Sequence, residues 1–144
     1  MKKYFQTFCK SLGNYACYLF CIINIAEEYL KKSFSYDELF DIIEKSFSQG
    51  YVRFNFDDYN DINNFYVNEP CKILYMITGK SWKVKKTYDT PKEKYYIECW
   101  SAVEGVCHFA RTYVGYNSLQ HSNSVENGKI ISYRVFTCDP QQNR

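Results

Sequence analysis

The stretch GNYACYLFCIINIAEEYLKK, residues 13–32, is the part of the sequence that decides the fold. Between Tyr18 and Ile25 nearly every side chain is apolar, so a helix formed here would be apolar almost all the way round. Such a helix is typical of the centre of a domain, where it is packed on several sides. We predict a helix over residues 15–32, with Asn14 as its N-cap.

Two further features of this helix are its charged C-terminal end and the short length of its apolar run. Glu27 and Glu28 precede Lys31 and Lys32 by four residues, a spacing that favours two ion pairs along the last turns. The apolar run covers only residues 15–26, whereas a helix that spans a bilayer needs about 20 residues. It also lacks a small-residue cleavage site of the signal-peptide kind. We therefore expect a cytoplasmic protein with no membrane association.

Two further helices are predicted before residue 80. Residues 35–50 begin with a capping box formed by Ser35 and Glu38, followed by an apolar stripe at helical spacing. The segment EPCKILYMITG, residues 69–79, has a proline near its start and a glycine at its end, which predicts a shorter helix capped by Asn68. The first half of the chain is therefore predicted to be mainly helical.

Short runs of aromatic and β-branched residues dominate the second half and predict strands. YVRFNF, residues 51–56, predicts one earlier short strand, and the polar segment over residues 57–68 predicts a loop. Helices first and antiparallel strands second predict an α+β fold in a single domain over residues 1–144, mainly helical over 1–80 and mainly β over 81–138. The later runs, separated by turn-forming residues, are SWKVKKTY, EKYYIECWSA, GVCHFARTYV and KIISYRVFT.

Charge is unevenly distributed, although the net charge is only +2. Residues 27–69 hold ten acidic and four basic side chains, whereas residues 79–95 hold six basic and two acidic ones. The basic segment, which includes Trp82 and Tyr88, could form a hairpin that binds an acidic partner or a nucleic acid. Two solvated surfaces are the commoner outcome of such segregation, and the modest net charge argues against nucleic acid. We expect no nucleic-acid partner.

The cysteines exclude two classes of small domain. The chain has seven cysteines, an odd number, and no two of them have the CxxC spacing. A zinc finger or ribbon needs that spacing, and a secreted disulfide framework is not expected from this pattern. We predict free thiols in a reducing compartment, with no metal and no cofactor.

One cysteine stands where a reactive thiol could form. Cys17 begins the predicted central helix, where backbone N–H groups favour a negative charge and a lowered thiol pKa. A thiol nucleophile needs a base, normally His, and that His needs an orienting Asn or Asp. The chain has only two histidines, His108 in a predicted strand and His121 in a polar loop. Cys17, His108 and Asn117 are the candidate catalytic residues, and His121 is the substitute base. The alternative is structural, because a free Cys is most often a small buried residue.

Two patches of the sequence carry a resemblance to a known family. NYACYLFCIINIAEEY, with the later CHFARTYV and YNSLQHSNSVENGKIISYRVF, resembles the papain-like cysteine peptidase superfamily. The likeness is greatest to its minimal bacterial branches, such as the peptidases that remove double-glycine leaders. The C-terminal patch also resembles an uncharacterised family encoded on spirochaete plasmids and prophages. The resemblance covers residues 13–29 and 106–136.

The resemblance implies a papain-like fold and a role for each candidate residue. Cys17 would be the nucleophile, His108 its base and Asn117 the orienting residue. Relatives commonly carry a Gln a few residues before the nucleophile as an oxyanion-hole donor, whereas this chain has Ser11 and Asn14 there. The hairpin is also shorter than in relatives, since a strand, a two-residue turn near Val114 and a second strand must fit between His108 and Asn117.

Two functions of different class remain open from the sequence. The first is a cysteine peptidase or amide hydrolase that acts on a peptide or protein substrate with a Cys-His-Asn triad. The second is a catalytically degenerate papain-like domain, phage- or plasmid-encoded, that binds a host protein as an inhibitor or interaction module. The sequence leaves the substrate, the partner and the oligomeric state open.

Overall fold

The computed structural model describes residues 16–54, 65–101, 107–117 and 128–138. These residues form an α+β fold with helices before the main sheet, as predicted. None of their helices is long and apolar enough to cross a membrane. The helices are α1 (Cys17–Leu30), α2 (Tyr36–Ser48) and α3 (Pro70–Thr78); the strands are β1 (Val52–Phe54), β2 (Phe65–Val67), β3 (Trp82–Thr87), β4 (Tyr95–Trp100), β5 (His108–Ala110) and β6 (Ile130–Cys138).

Helix α1 is the buried helix that the sequence predicts, but it is shorter at both ends. It begins at Cys17, and its N-cap is Ala16, which makes no side-chain capping hydrogen bond. The prediction of Asn14 as the cap is therefore wrong, and Asn14 itself lies outside the described residues. At the other end Lys31 adopts a left-handed conformation with φ 55°, which stops the helix after Leu30.

The early end of α1 changes the partners of its acidic residues. Glu28 pairs with Arg111 at 2.9 Å, and Lys32 pairs with Glu38 at 2.6 Å. Glu27 is buried and accepts a hydrogen bond from the backbone N–H of Phe34. The predicted pairing of Glu28 with Lys32 is wrong because the helix ends before the lysines, so they do not continue its i,i+4 spacing.

Helix α2 follows the prediction closely. The Ser35 side chain accepts from the Glu38 N–H while the Glu38 carboxylate accepts from the Ser35 N–H, so the capping box is confirmed. Leu39, Ile42 and Ile43 are all buried, as the apolar stripe predicts. This reciprocal bonding satisfies two backbone donors that a helix start would otherwise leave open.

A two-stranded ribbon precedes α3 and corrects two predictions. Strand β1 is present as predicted, but it pairs with β2 over Phe65–Val67, which lies within the segment predicted to be a loop. Asn68 does not cap α3, whose N-cap is Glu69. Asn68 instead donates to the Gly50 carbonyl and accepts from Arg53, so it ties the start of β1 to the end of β2.

The main sheet is antiparallel, with the strand order β3-β6-β4-β5. Strand β6 lies between β3 and β4, so the basic segment does not form a hairpin, contrary to that possibility. The physical reason is that Tyr133, Val135 and Phe136 are buried on both faces of β6, which favours a central position. Strand β3 is the edge strand at the other side of the sheet from β5, and its lysines at positions 83, 85 and 86 are exposed.

Helix α1 joins the sheet to the rest of the core. It packs against α3, β4 and β5. Near its C-terminal end the rings of Tyr29, Trp82 and Tyr95 form a cluster of edge-to-face pairs with centroids 5.2 to 6.2 Å apart. The Trp82 indole N–H also donates to Thr78, which connects α3 to β3. At its other end α1 contacts β5 through Cys17 and the backbone of Phe109.

Candidate active site

Cys17 lies at the first position of α1, against the edge strand β5. Its Sγ accepts a hydrogen bond from the backbone N–H of Phe109, with a sulfur–nitrogen distance of 3.5 Å. The N–H groups of Cys17 and Tyr18 also favour a charge on the sulfur, as expected at a helix start. The structure thus places the thiol beside the residue that follows His108.

The orientation of the Phe109 N–H explains this contact. Arg111 exchanges two backbone hydrogen bonds with Tyr116, on the side of β5 away from β4. Backbone groups two residues apart on a strand point the same way, so the Phe109 N–H points to that free edge as well. The Cys17 sulfur therefore occupies the place where a further ladder partner of β5 would stand.

His108 and Asn117 form a direct pair. The distance between His108 Nε2 and Asn117 Oδ1 is 2.7 Å. An amide oxygen only accepts hydrogen bonds, so in the neutral ring the proton sits on Nε2 and Nδ1 is unprotonated. The sequence predicts both residues as partners, and the structure brings them together.

The turn between these two residues differs from the predicted two-residue hairpin. A 3₁₀ turn over Thr112–Val114 is followed by Gly115 at φ 77°, a conformation that favours glycine. The bridge between Arg111 and Tyr116 closes a four-residue connection. This register puts Asn117 level with Ala110, on the same face as His108, so the two polar side chains are diagonal neighbours.

Side chains along β5 point alternately to the two faces of the sheet, so neighbouring residues of the site have different surroundings. The Phe109 ring faces α1 and packs on Tyr18, with ring centroids 4.7 Å apart. His108 belongs to the other face of the sheet, where its register partner on β4 is Trp100. Cys107, one residue earlier, is exposed. The Cys17 thiol contacts the backbone of this strand at Phe109, the residue between the His108 and Ala110 side chains.

Burial sets the protonation states of the candidate pair. Burial raises the pKa of the Cys17 thiol, and the N–H groups of Phe109, Tyr18 and Cys17 offset only part of that rise. Burial also lowers the pKa of the His108 ring, against the opposing effect of the Asn117 hydrogen bond. The prediction of a lowered thiol pKa at the helix start is therefore wrong. With 7 % of Cys17 and 3 % of His108 exposed, desolvation outweighs the helix-terminal N–H groups.

Arg111 is a site-adjacent residue that the sequence interpretation missed. It is fully buried, and its guanidinium donates to the Tyr96 carbonyl, Asn24, Glu28 and the Tyr113 hydroxyl at 2.6 to 3.0 Å. The available indication was Asn24, a polar side chain that interrupts the apolar run of this helix and is partly buried, since a polar group shielded from water needs a partner.

Glu98 is a second buried ionisable residue near the turn. Its carboxylate accepts from the backbone N–H and the hydroxyl of Thr112, at 2.9 Å and 2.7 Å. It also accepts from the Trp100 indole N–H at 3.0 Å. Glu98 therefore anchors the first residue of the 3₁₀ turn from β4.

The remaining site predictions concern residues that the structure does not describe, and a surface cleft lies elsewhere. Ser11, Asn14 and His121, predicted as oxyanion-hole donors and as a substitute base, fall outside the described residues. A surface cleft of about 520 Å³ lies near the C-terminal end of α1, lined by Glu27, Lys32 and their neighbours, and not at Cys17. Within the described ranges no three His, Cys, Asp or Glu side chains are grouped so that they could hold a metal ion.

Comparisons with known proteins do not add an assignment to this geometry. Comparison of the chain with protein-family models, with curated proteins and with solved structures finds no match. A functional proposal therefore rests on the positions of Cys17, His108 and Asn117 and on the sequence resemblance described above.

Proposed function

We propose that the protein is a cysteine peptidase or a related amide hydrolase of papain-like arrangement, acting on a peptide or protein substrate in the cytoplasm. The observation that carries the proposal is the 2.7 Å contact between Asn117 and His108 Nε2. A cysteine at the start of a buried helix contacts the backbone N–H of the residue that follows His108. An Asn that fixes one ring nitrogen leaves the other for proton exchange with a nucleophile. The resemblance to papain-like peptidases supports the same three roles.

The proposed reaction starts from neutral side chains of Cys17 and His108. Because the thiol pKa is raised and the imidazole pKa is lowered, Cys17 and His108 rest as thiol and neutral ring. As the sulfur attacks a substrate carbonyl carbon, the thiol proton passes to Nδ1 of His108, acting as a general base. The protonated ring then gives that proton to the leaving amine nitrogen, and a thioester to Cys17 remains.

The second half of the reaction uses the same groups. His108 Nδ1 removes a proton from a water molecule, the water oxygen attacks the thioester carbon, and the Cys17 sulfur leaves and is reprotonated from the ring. Asn117 keeps the Nε2 proton in place throughout, which stabilises the imidazolium when it forms. The backbone N–H of Cys17 supplies one donor for the carbonyl oxygen as it gains charge.

A second candidate function is a catalytically degenerate domain that binds a host protein. One observation favours it: both Cys17 and His108 are buried, and their pKa shifts oppose formation of a thiolate–imidazolium pair. Under this alternative Cys17 and His108 are packing residues, and binding depends on exposed side chains such as Lys83 and Lys85.

Substitutions at the site separate the two functions. Hydrolysis is measured with a library of peptides bearing a fluorogenic aminocoumarin amide, for the wild type, Cys17→Ser, His108→Gln and the double variant. A hydrolase loses several orders of magnitude in kcat/KM with either single change. The double change costs little more, because the two residues act as one unit.

Matched controls use the residues that the proposal leaves out. Cys71→Ser removes a half-buried thiol on α3, and His121→Gln removes the other histidine. Both should retain wild-type rates. Wild-type hydrolysis by a folded Cys17→Ser, His108→Gln double variant would rule out these two residues as the catalytic pair. A folded wild type that hydrolyses no peptide of the library would favour the binding function instead.

A further inference from the structure

Arg111 connects helix α1, which carries Cys17, to strand β4. Its Nη1 donates to Asn24 at 2.8 Å and its Nη2 to Glu28 at 2.9 Å, both on α1. Its Nε donates to the Tyr96 carbonyl on β4 at 3.0 Å. The guanidinium is fully buried, so each of these bonds forms away from water, where an unmet donor is costly.

The residues that Arg111 contacts share a helix face with the nucleophile. Cys17, Cys21, Asn24 and Glu28 follow the spacing i, i+4, i+7, i+11, which places them along one stripe of α1. The stripe faces β5, because Cys17 contacts the Phe109 N–H at one end and Arg111 holds Asn24 and Glu28 further along. Two bonds from one rigid, planar guanidinium therefore fix the rotation of α1 about its axis and its position along β5.

The backbone of Arg111 fixes the other half of the group. Its N–H donates to the Tyr116 carbonyl at 2.8 Å, and its carbonyl accepts from the Tyr116 N–H at 3.0 Å. These bonds close the turn that returns Asn117 to His108. The Tyr113 hydroxyl accepts from Arg111 Nη2 at 2.6 Å and donates to Tyr96 O at 2.9 Å, which holds the turn against β4.

We propose that Arg111 is the positioning residue of the Cys17–His108–Asn117 group. It touches none of the reacting atoms; it sets the place of the Cys17 sulfur relative to His108 through α1, and of Asn117 relative to His108 through the turn. The proposal rests on the proposed hydrolase function for its catalytic consequence. Its structural consequence, a His108–Asn117 bond that depends on Arg111, does not.

The test compares the full chain as wild type, Arg111→Met, Arg111→Lys and Leu39→Ala. Leu39 lies buried on α2, away from the site, so Leu39→Ala is a control for lost stability alone. The His108 Nε2 proton is observed by ¹⁵N NMR in a His121→Gln background. Hydrolysis of the aminocoumarin peptide library gives kcat and KM separately.

Arg111→Met keeps the backbone bonds to Tyr116 but removes the side-chain bonds to α1 and to the Tyr113 hydroxyl. It should therefore weaken the signal of the His108 Nε2 proton and lower kcat by about 100-fold with little change in KM, since small misplacements of reacting groups cost about this much. Arg111→Lys keeps the charge without the fork and should lower kcat by less. Leu39→Ala should keep both the proton and kcat at a temperature where all variants are folded. If Arg111→Met does not fold, Glu28→Gln, which weakens one bond at a half-buried site, should show a smaller effect in the same direction.

Two outcomes overturn the positioning role. One is a folded Arg111→Met variant, or Glu28→Gln in its place, that keeps both the Nε2 proton and the wild-type kcat. The other is a Leu39→Ala variant that loses the proton and kcat to the same extent, which would assign the effect to general instability. If the wild type hydrolyses no peptide while the Nε2 proton still depends on Arg111, the positioning role holds and the hydrolase function alone fails.

Discussion

Replacing Asn117 by Asp tests the central contact of the site without any substrate. In the wild type the Asn117 amide oxygen lies 2.7 Å from His108 Nε2, and burial holds the pKa of His108 below its ordinary value of 6.5. An aspartate at the same place puts a full negative charge against the ring. The charged imidazolium is then favoured, so the His108 pKa should rise.

The expected size of the rise follows from the distance. An opposite charge within about 4 to 6 Å moves the pKa of a neighbouring group by about 1 to 3 units, and the present contact is shorter than that range. A rise of this size acts against the effect of burial. The His108 pKa should therefore be about 1 to 3 units higher in Asn117→Asp than in the wild type.

The assay is an NMR titration of the His108 Cε1–H signal in a His121→Gln background, where His108 is the only histidine left. Asn68→Asp serves as the control, because it adds the same charge beside Gly50 and Arg53, in the ribbon and not at the imidazole. It should leave the His108 pKa unchanged. A folded Asn117→Asp variant whose His108 pKa is equal to or lower than that of the wild type would refute the contact.

Two further predictions follow from the pKa directions at the site. The His108 pKa is lower in the folded chain than in the unfolded chain, so the unfolded chain takes up the proton first as the pH falls. The free energy of unfolding should therefore fall as the pH drops below about 6.5 and level off below the pKa of the folded state. Chemical denaturation between pH 7 and pH 5 should show this loss in the wild type and not in His108→Gln; an equal loss in both would contradict the burial of the ring. Because the Cys17 thiol is buried and its pKa is raised, brief iodoacetamide treatment should label the exposed Cys107 before Cys17, and peptide mapping that finds Cys17 labelled first would contradict the neutral resting state.

Local sequence patterns account for the parts of the fold that depend on neighbouring residues. The capping box of Ser35 and Glu38, the left-handed end of α3 at Gly79 and the buried face of α1 are each set by residues within one or two turns. Residue order also indicated the pairing of His108 with Asn117, since nine positions allow a strand to reverse once. Features that depend only on residues a few positions apart can be predicted from the sequence.

Contacts between residues far apart in the sequence determined the remaining features of the fold. The place of β6 between β3 and β4, and the pairing of β1 with β2, depend on which strands bury both faces, and no local pattern fixes that choice. The partner of Glu28 at the end of α1 was likewise set by a distant residue, Arg111, which lies 83 positions further along the chain.

The sequence by itself determined which groups could do chemistry, because only two histidines are present and Cys17 begins an apolar helix. The tertiary structure decided their protonation states. A helix start lowers a thiol pKa when the thiol is solvated, but burial against β5 removes water from the sulfur and reverses the direction of the shift. Desolvation is a property of the packed surroundings, and those surroundings include a strand 92 residues further along the chain.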